Sequence, residues 1–305
     1  EYELNFLNLV SLISNGTKLT LSKKGDSLRF TPGMIINNDM RELSFDCSNC
    51  RAIGYYLEPL VLLALFGKTD LEITLKGITN DGIDQGVDVL AQTLPIILEK
   101  FNLSSKQALI KINKRGYRPN AQGEVYLKVA KIARLDNCEW KEMGLVKRVR
   151  GICYASKVSV NFIGRAIAGV REVLNSFLPD VWVHSEYSKG GSGGDGGMGI
   201  SLWAEGNAGN IWTGEAHGAM GEELGKEAAL ALLEEVMQSG VVDTHSQGFL
   251  LMLMALSGGK PSRAVLGRLS PHTVITLRLI REFFGVTFLI ASHTPATAAP
   301  QPEEK

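Results

Sequence analysis

A period-two alternation that gives way, across a short polar loop, to helical spacing limits this chain's fold more than any other feature. Leu71, Ile73 and Leu75 alternate with Glu72, Thr74 and Lys76, so one face of a strand is apolar and the other polar. Gly77 ends the strand, and the stretch from Ile78 to Gly86 is too polar and glycine-rich to be a core element. Val87, Leu90, Leu94, Leu98 and Phe101 then recur at helical spacing, with Pro95 predicting a kink. Alternation returns at Ala108, Ile110 and Ile112, and again at Val125, Leu127 and Val129. Strand, loop, helix, strand, strand make one compact α+β unit whose first loop is its most polar surface.

The flanking segments extend this pattern. Leu4, Leu7, Val10 and Ile13 predict an amphipathic helix over 3–14, stopped by Asn15-Gly16. A hairpin follows, with Leu19 and Leu21 facing Leu28 and Phe30 across Lys23-Lys24-Gly25-Asp26. A helix plus one hairpin buries itself poorly, so the N-terminus reads as incomplete. Pro32 to Cys50 reads as irregular, and an apolar helix spans 53–65. After 131–147 the pattern changes to a strand near Val149-Tyr154, a helix over 161–177, strands at Val181, Ile200 and Ile211, and a long helix over 222–238. The chain then gives a helix over 247–256 and a strand at Ala264-Val265-Leu266. Ser270-Pro271 opens a helix to Phe284, Val286–Ile290 closes as a strand, and 292–305 reads as a disordered tail.

With 32 basic and 32 acidic residues the chain carries no net charge, so any contact with RNA must come from local basic patches or from protein partners. Its 45% hydrophobic and 21% charged content predicts an ordinary globular protein large enough for two domains, and no apolar run reaches membrane-spanning length. Cys47 and Cys50 form a C-x-x-C, but Cys138 and Cys153 supply no second pair, so reduced thiols rather than a zinc site are expected. No metal-ligand spacing links His184, His217 and His245, and neither metal nor cofactor is expected. The glycine run from Lys189 to Gly199 joins two strands and lacks Gly-Lys-Ser/Thr at a helix start, so it reads as an inter-strand loop rather than a phosphate loop.

Lys111, Lys114, Arg115 and Arg118 put four cations into eight residues at a hairpin tip closed by Pro119 and Gly123. Such a turn serves equally as a solvated charged loop or as a grip on phosphate oxygens. Lys114, Arg115 and Arg118, with Thr79, Asn80 and Asp81 in the polar loop, are the candidates for binding an anion or RNA. Lys147, Arg148 and Arg150 read as a solvated strand edge. On the last helix, Arg278 and Arg281 lie three residues apart, where like charges cost stability, while Val274, Leu277 and Phe284 can pack inward. A partner surface using both arginines, or internal pairing with acids such as Glu282, would each account for them.

The order K-G-I-T-N-D (76–81), then K-R-G-Y-R-P-N-A-Q-G-E-V (114–125), resembles the RNA 3′-terminal phosphate cyclase superfamily over about 1–290. Thr79-Asn80-Asp81 resembles its eukaryotic cyclase-like, ribosome-biogenesis branch. The resemblance implies an α+β fold of repeated units, each a sheet backed by helices, with a smaller α/β insert. The core would occupy 1–140 and 239–291, and the insert 141–238. It also implies non-cyclising work on small-subunit (18S) pre-rRNA in the nucleus and nucleolus, with a large GTPase and other small-subunit processome proteins as partners. By motif order Ser270-Pro271-His272-Thr273 resembles the segment holding the cyclases' nucleophilic histidine. Yet the cyclases' Ala-Asp-Gln aligns with Gln247-Gly248-Phe249, and their P-x-G-G-G turn is here Pro119-Asn120-Ala121-Gln122-Gly123. His272 is therefore a weak catalytic candidate, with an active ATP-dependent cyclase, or a pre-rRNA endonuclease, as the alternatives.

Overall fold

The computed structural model describes residues 1–36, 43–188, 196–218 and 220–292. An α+β architecture results, with two four-stranded sheets each backed by helices. The first is built from β1 (Leu43–Asp46), α2 (Ile53–Leu65), β2 (Leu71–Gly77), α3 (Val87–Glu99), β3 (Ala108–Lys114) and β4 (Gly123–Val129), after an N-terminal α1 (Tyr2–Leu12). Its strand order is β1-β2-β4-β3. β1 runs parallel to β2 because α2 crosses over between them, whereas β3 and β4 form an antiparallel hairpin whose second strand pairs with β2.

Leu71, Ile73, Leu75, Val125, Leu127 and Val129 all turn onto the helices and are buried. Leu57, Val61, Leu90, Leu94 and Leu98 meet them from α2 and α3. α3 runs on through Pro95, as α2 does through Pro59.

The second sheet has the order β6-β5-β7-β8, from β5 (Val146–Ser156), β6 (Val181–Ser188), β7 (Gly197–Gly206) and β8 (Ile211–His217). α4 (Val160–Leu174) joins the parallel pair β5 and β6, and α5 (Glu222–Met237) follows β8. A separate apolar cluster lies between this sheet and the two helices. The helices approach closely where a Cβ on Gly225 would strike the carbonyl of Ala166, so that position must stay glycine. α6 (Gln247–Leu256) and α7 (Pro271–Phe284) return to the first core, where α6 contributes Phe249, Leu250 and Leu253 and α7 contributes Ile280.

Several expectations need correction. Leu43–Asp46, expected to be irregular, is a full partner of β2. With only Leu43 and Phe45 as apolar alternates, it is too short to show a period. The expected strand at 264–266 shrinks to Arg263–Ala264, paired with Glu139–Trp140. Val286–Ile290 is not a strand. Leu289 and Ile290 are exposed there, and a strand needs a neighbour to satisfy its ladder. α7 buries Thr273, Thr276 and Ile280, while Val274 and Leu277 are only half-buried and Phe284 is exposed. It packs on α6 rather than on a sheet, which rotates its inner face. Residues 189–195 of the glycine run, and the tail from 293 onward, lie outside the described residues. Among the described residues no helix is long and apolar enough to cross a membrane.

Candidate functional site

The polar loop after β2 and the tip of the β3–β4 hairpin come together, as their shared position at one end of the sheet requires. Thr79 donates its backbone N–H to the carbonyl of Gly116 at 3.0 Å, which clamps the loop to the hairpin. The six residues predicted from sequence then divide. Thr79 and Asn80 are buried. Asn80 donates to Asp88 at 3.0 Å and accepts from Arg115 at 3.1 Å.

Arg115, expected at a solvated turn, is buried with its side chain 6% exposed. Its guanidinium forms a two-pronged pair with Asp88 at 2.7 and 2.8 Å, and one prong also reaches Glu186 on β6 at 2.8 Å. The same group lies over the ring of Tyr154 at 4.4 Å. Burial works against this cation, but the carboxylates hold its pKa above the ordinary arginine value. Arg115 thus ties the first sheet to the second, which removes it from the surface available to RNA.

Asp81, expected as a candidate for binding an anion or RNA, instead caps its own loop by accepting from the backbone N–H groups of Ile83 and Asp84. Its other oxygen takes Arg118 at 3.0 Å. Arg118 is half-exposed and also donates to the carbonyls of Asn49 and Cys50. Lys114 is exposed at the end of β3. Of the six, Lys114 and Arg118 are the cations that face solvent.

Partners invisible to sequence spacing complete the junction. Glu215 on β8 accepts from the Gly86 backbone N–H at 2.7 Å and from Ser201 at 2.5 Å. A Cβ on Gly86 would collide with Glu215 and Asn80. Burial raises the Glu215 carboxyl to about 7, with Asp88 and Asp243 nearby opposing its ionisation further. Beside it, Tyr154 shares a hydrogen bond with Nδ1 of His217 at 3.1 Å, and burial keeps both in their neutral forms by raising the phenol and lowering the imidazole. Sequence offered one signal, an acid within the apolar run Ile211-Trp212-Thr213-Gly214-Glu215-Ala216.

The second predicted region is the start of α7. Ser270 caps the helix, accepting from the Thr273 N–H at 3.1 Å. Buried Gln247 accepts from the Thr273 hydroxyl at 2.8 Å and donates to the Arg268 carbonyl at 3.1 Å, so its amide serves the helix start. His272 is exposed, and its ring sits against Gly248. Arg278 and Arg281 are exposed, beside the exposed Ile275, Leu279 and Phe283.

Lys147, Arg148 and Arg150 lie along β5, with Arg148 paired to Glu205 and Arg150 to Asp180. Cys47, Cys138 and Cys153 are buried thiols whose pKa values burial raises. Among the described residues no group of three or more His, Cys, Asp or Glu side chains could hold a metal ion.

Residues 1–290 match the family described as RNA 3′-terminal phosphate cyclase. The chain is 35% identical over 299 residues to the human RNA 3′-terminal phosphate cyclase-like protein, covering 95% of this chain and 79% of that one. It is 38% identical over 308 residues to the probable RNA 3′-terminal phosphate cyclase-like protein of Arabidopsis thaliana, covering 95% and 82%. It is 34% identical over 296 residues to the rRNA processing protein rcl1 of Schizosaccharomyces pombe, covering 94% and 80%.

Proposed function

Because this chain belongs to the RNA 3′-terminal phosphate cyclase family, we propose that it works in ribosomal RNA processing without cyclising RNA ends. The observation that carries the reading is the match along almost the whole chain to a relative named for rRNA processing. The chemistry of the α7 start supports the non-cyclising part. Nucleotidyl transfer through His272 would need polar groups free to orient a nucleotide beside it. Gln247, on the neighbouring helix, instead gives its amide to Thr273 and Arg268.

In its finer form, the reading is a nuclear, nucleolar factor for 18S pre-rRNA that enters the small-subunit processome with a large GTPase. A division into a core of 1–140 and 239–291 and an insert of 141–238 belongs to the same reading. RNA would be met at Lys114 and Arg118. The GTPase would be met on α7, where Arg278 and Arg281 offer planar forks suited to carboxylates next to exposed apolar side chains. Depletion of the protein from cells should accumulate precursors of the small-subunit rRNA and spare the large-subunit pathway. Normal precursor levels after complete depletion would overturn the reading.

A further inference from the structure

Outside the junction, the described surface holds a cavity of about 560 Å³ at the end of the first sheet, on the face away from the helices. Strand register builds its floor as a row of alternating charge: Asp46 lies beside Lys76, Lys76 beside Glu124, and Glu124 beside Lys114. One wall is the Ser48-Asn49 loop after β1, and the other is the Asn120-Ala121-Gln122 turn of the hairpin. The walls are pinned together before any ligand arrives. Arg118 donates to the Asn49 carbonyl at 3.2 Å, and Asn49 donates to the Pro119 carbonyl at 3.5 Å.

The lining decides the ligand class. Ala121 is its single apolar side chain larger than glycine's, and the rest of its carbon surface is the stems of polar side chains, so a largely apolar ligand is poorly matched. Two ammonium groups face two carboxylates, which leaves no net charge for a di- or triphosphate carrying several negative charges. A single phosphodiester is matched by Lys76 or Lys114. The Gln122 carboxamide accepts from the Lys114 ammonium at 3.5 Å and that of Asn49 donates one N–H to Pro119, and each keeps a second N–H and an oxygen lone pair, the complement of a base edge. Glu124 gives one oxygen to Asn113 at 3.0 Å, and its second can accept from a ribose 2′-hydroxyl, the group that separates RNA from DNA. The volume lies in the range of small-molecule sites, and the open mouth lets a chain continue on both sides.

From these features we infer that this cavity holds one nucleotide of a single-stranded RNA, with Lys76 and Lys114 on its phosphates and Asn49 and Gln122 on its base. This inference rests on the RNA-directed reading given above.

Anisotropy of a short labelled single-stranded RNA, titrated with the full chain at several salt concentrations, tests it. The double variant Lys76→Ala/Lys114→Ala should bind about tenfold more weakly, with a salt slope lower by about 1.4, or 0.7 for each phosphate contact. Gln122→Ala should weaken binding without changing the slope, and DNA of the same sequence should compete poorly. Both lysines are exposed, so unchanged thermal unfolding is expected and separates lost contact from lost fold. Unaltered affinity and slope in the double variant would overturn the inference, as would equal competition by DNA. RNA binding at unaltered affinity in the variant places the strand elsewhere and leaves the rRNA reading standing. An unmodified protein that binds no RNA also overturns the pocket, while precursor accumulation on depletion still judges the rRNA reading separately.

Discussion

Arg115 and Arg278 are alike in sequence, each an arginine among charged neighbours on a predicted surface, yet they end in opposite environments. Arg115 is enclosed by Asp88, Glu186, Asn80 and the ring of Tyr154. Arg278 lies on the outer side of α7, in solvent. The difference comes from what the rest of the chain folds onto each place. A second sheet closes over the end of β3, whereas α7 presents its outer face with nothing from the described residues laid across it. A buried charge must find partners or be destabilising, so Arg115 holds two sheets together. An exposed charge contributes little to the fold and remains available for something outside it.

The largest effect that would break this comparison belongs to Arg115. Arg115→Ala leaves Asp88 buried without its cation and should destabilise by about 3–5 kcal/mol in chemical denaturation. Adding Asp88→Ala should cost less than the sum of the two single changes, because the unpaired charge is then gone. Strict additivity would mean that the pair is not the unit that matters.

A pH series probes the same junction. Glu215 has its carboxyl raised from 4.5 to about 7, and Glu58 on α2 is raised to about 7 by burial and then by Asp243. For a raised acid the native state holds its proton longer than the unfolded chain does. Stability is therefore greatest below about 4.5 for these groups and declines as pH rises through the window to about 7. Each can contribute up to about 3 kcal/mol of that decline. Glu215→Gln keeps an acceptor for Gly86 and should remove about half of the slope while raising stability at pH 8. A slope unchanged by this substitution would place the titration elsewhere.

Smaller effects sharpen the α7 side. Ser270→Ala removes the cap and should cost about 1 kcal/mol. Arg278→Glu should shift stability by less than about 0.5 kcal/mol while weakening capture of the GTPase proposed as partner. Earlier unfolding of that variant would assign the arginine a structural role, and unchanged capture would move the partner surface off α7.

Sequence showed the parts of this contrast that depend on local order. The alternation of Leu71, Ile73 and Leu75, the helix of α3, the hairpin and the Ser270 cap are all written within a few residues, and all form. That 78–86 forms a polar loop was readable for the same reason, although the capping role of Asp81 within it was not. Arg115 was not, because Glu186 stands 71 positions away and Tyr154 on a different sheet, so no spacing rule could bring them to it. The Gly86–Glu215 bond, across 129 positions, is hidden in the same way. β1 escaped notice because two apolar residues cannot establish a period, and Val286–Ile290 misled because a β-like pattern forms no strand without a neighbour.

Whether a family member working on RNA has given up nucleotidyl transfer at His272 is tested most directly by the protein's own labelling. Purified protein is incubated with magnesium and ATP labelled at the α-phosphate, then denatured and separated from free nucleotide. The account predicts no retained label, with wild type and His272→Ala indistinguishable. Label held by the wild type and lost in His272→Ala would contradict it and make the chain an active nucleotidyl-transfer enzyme.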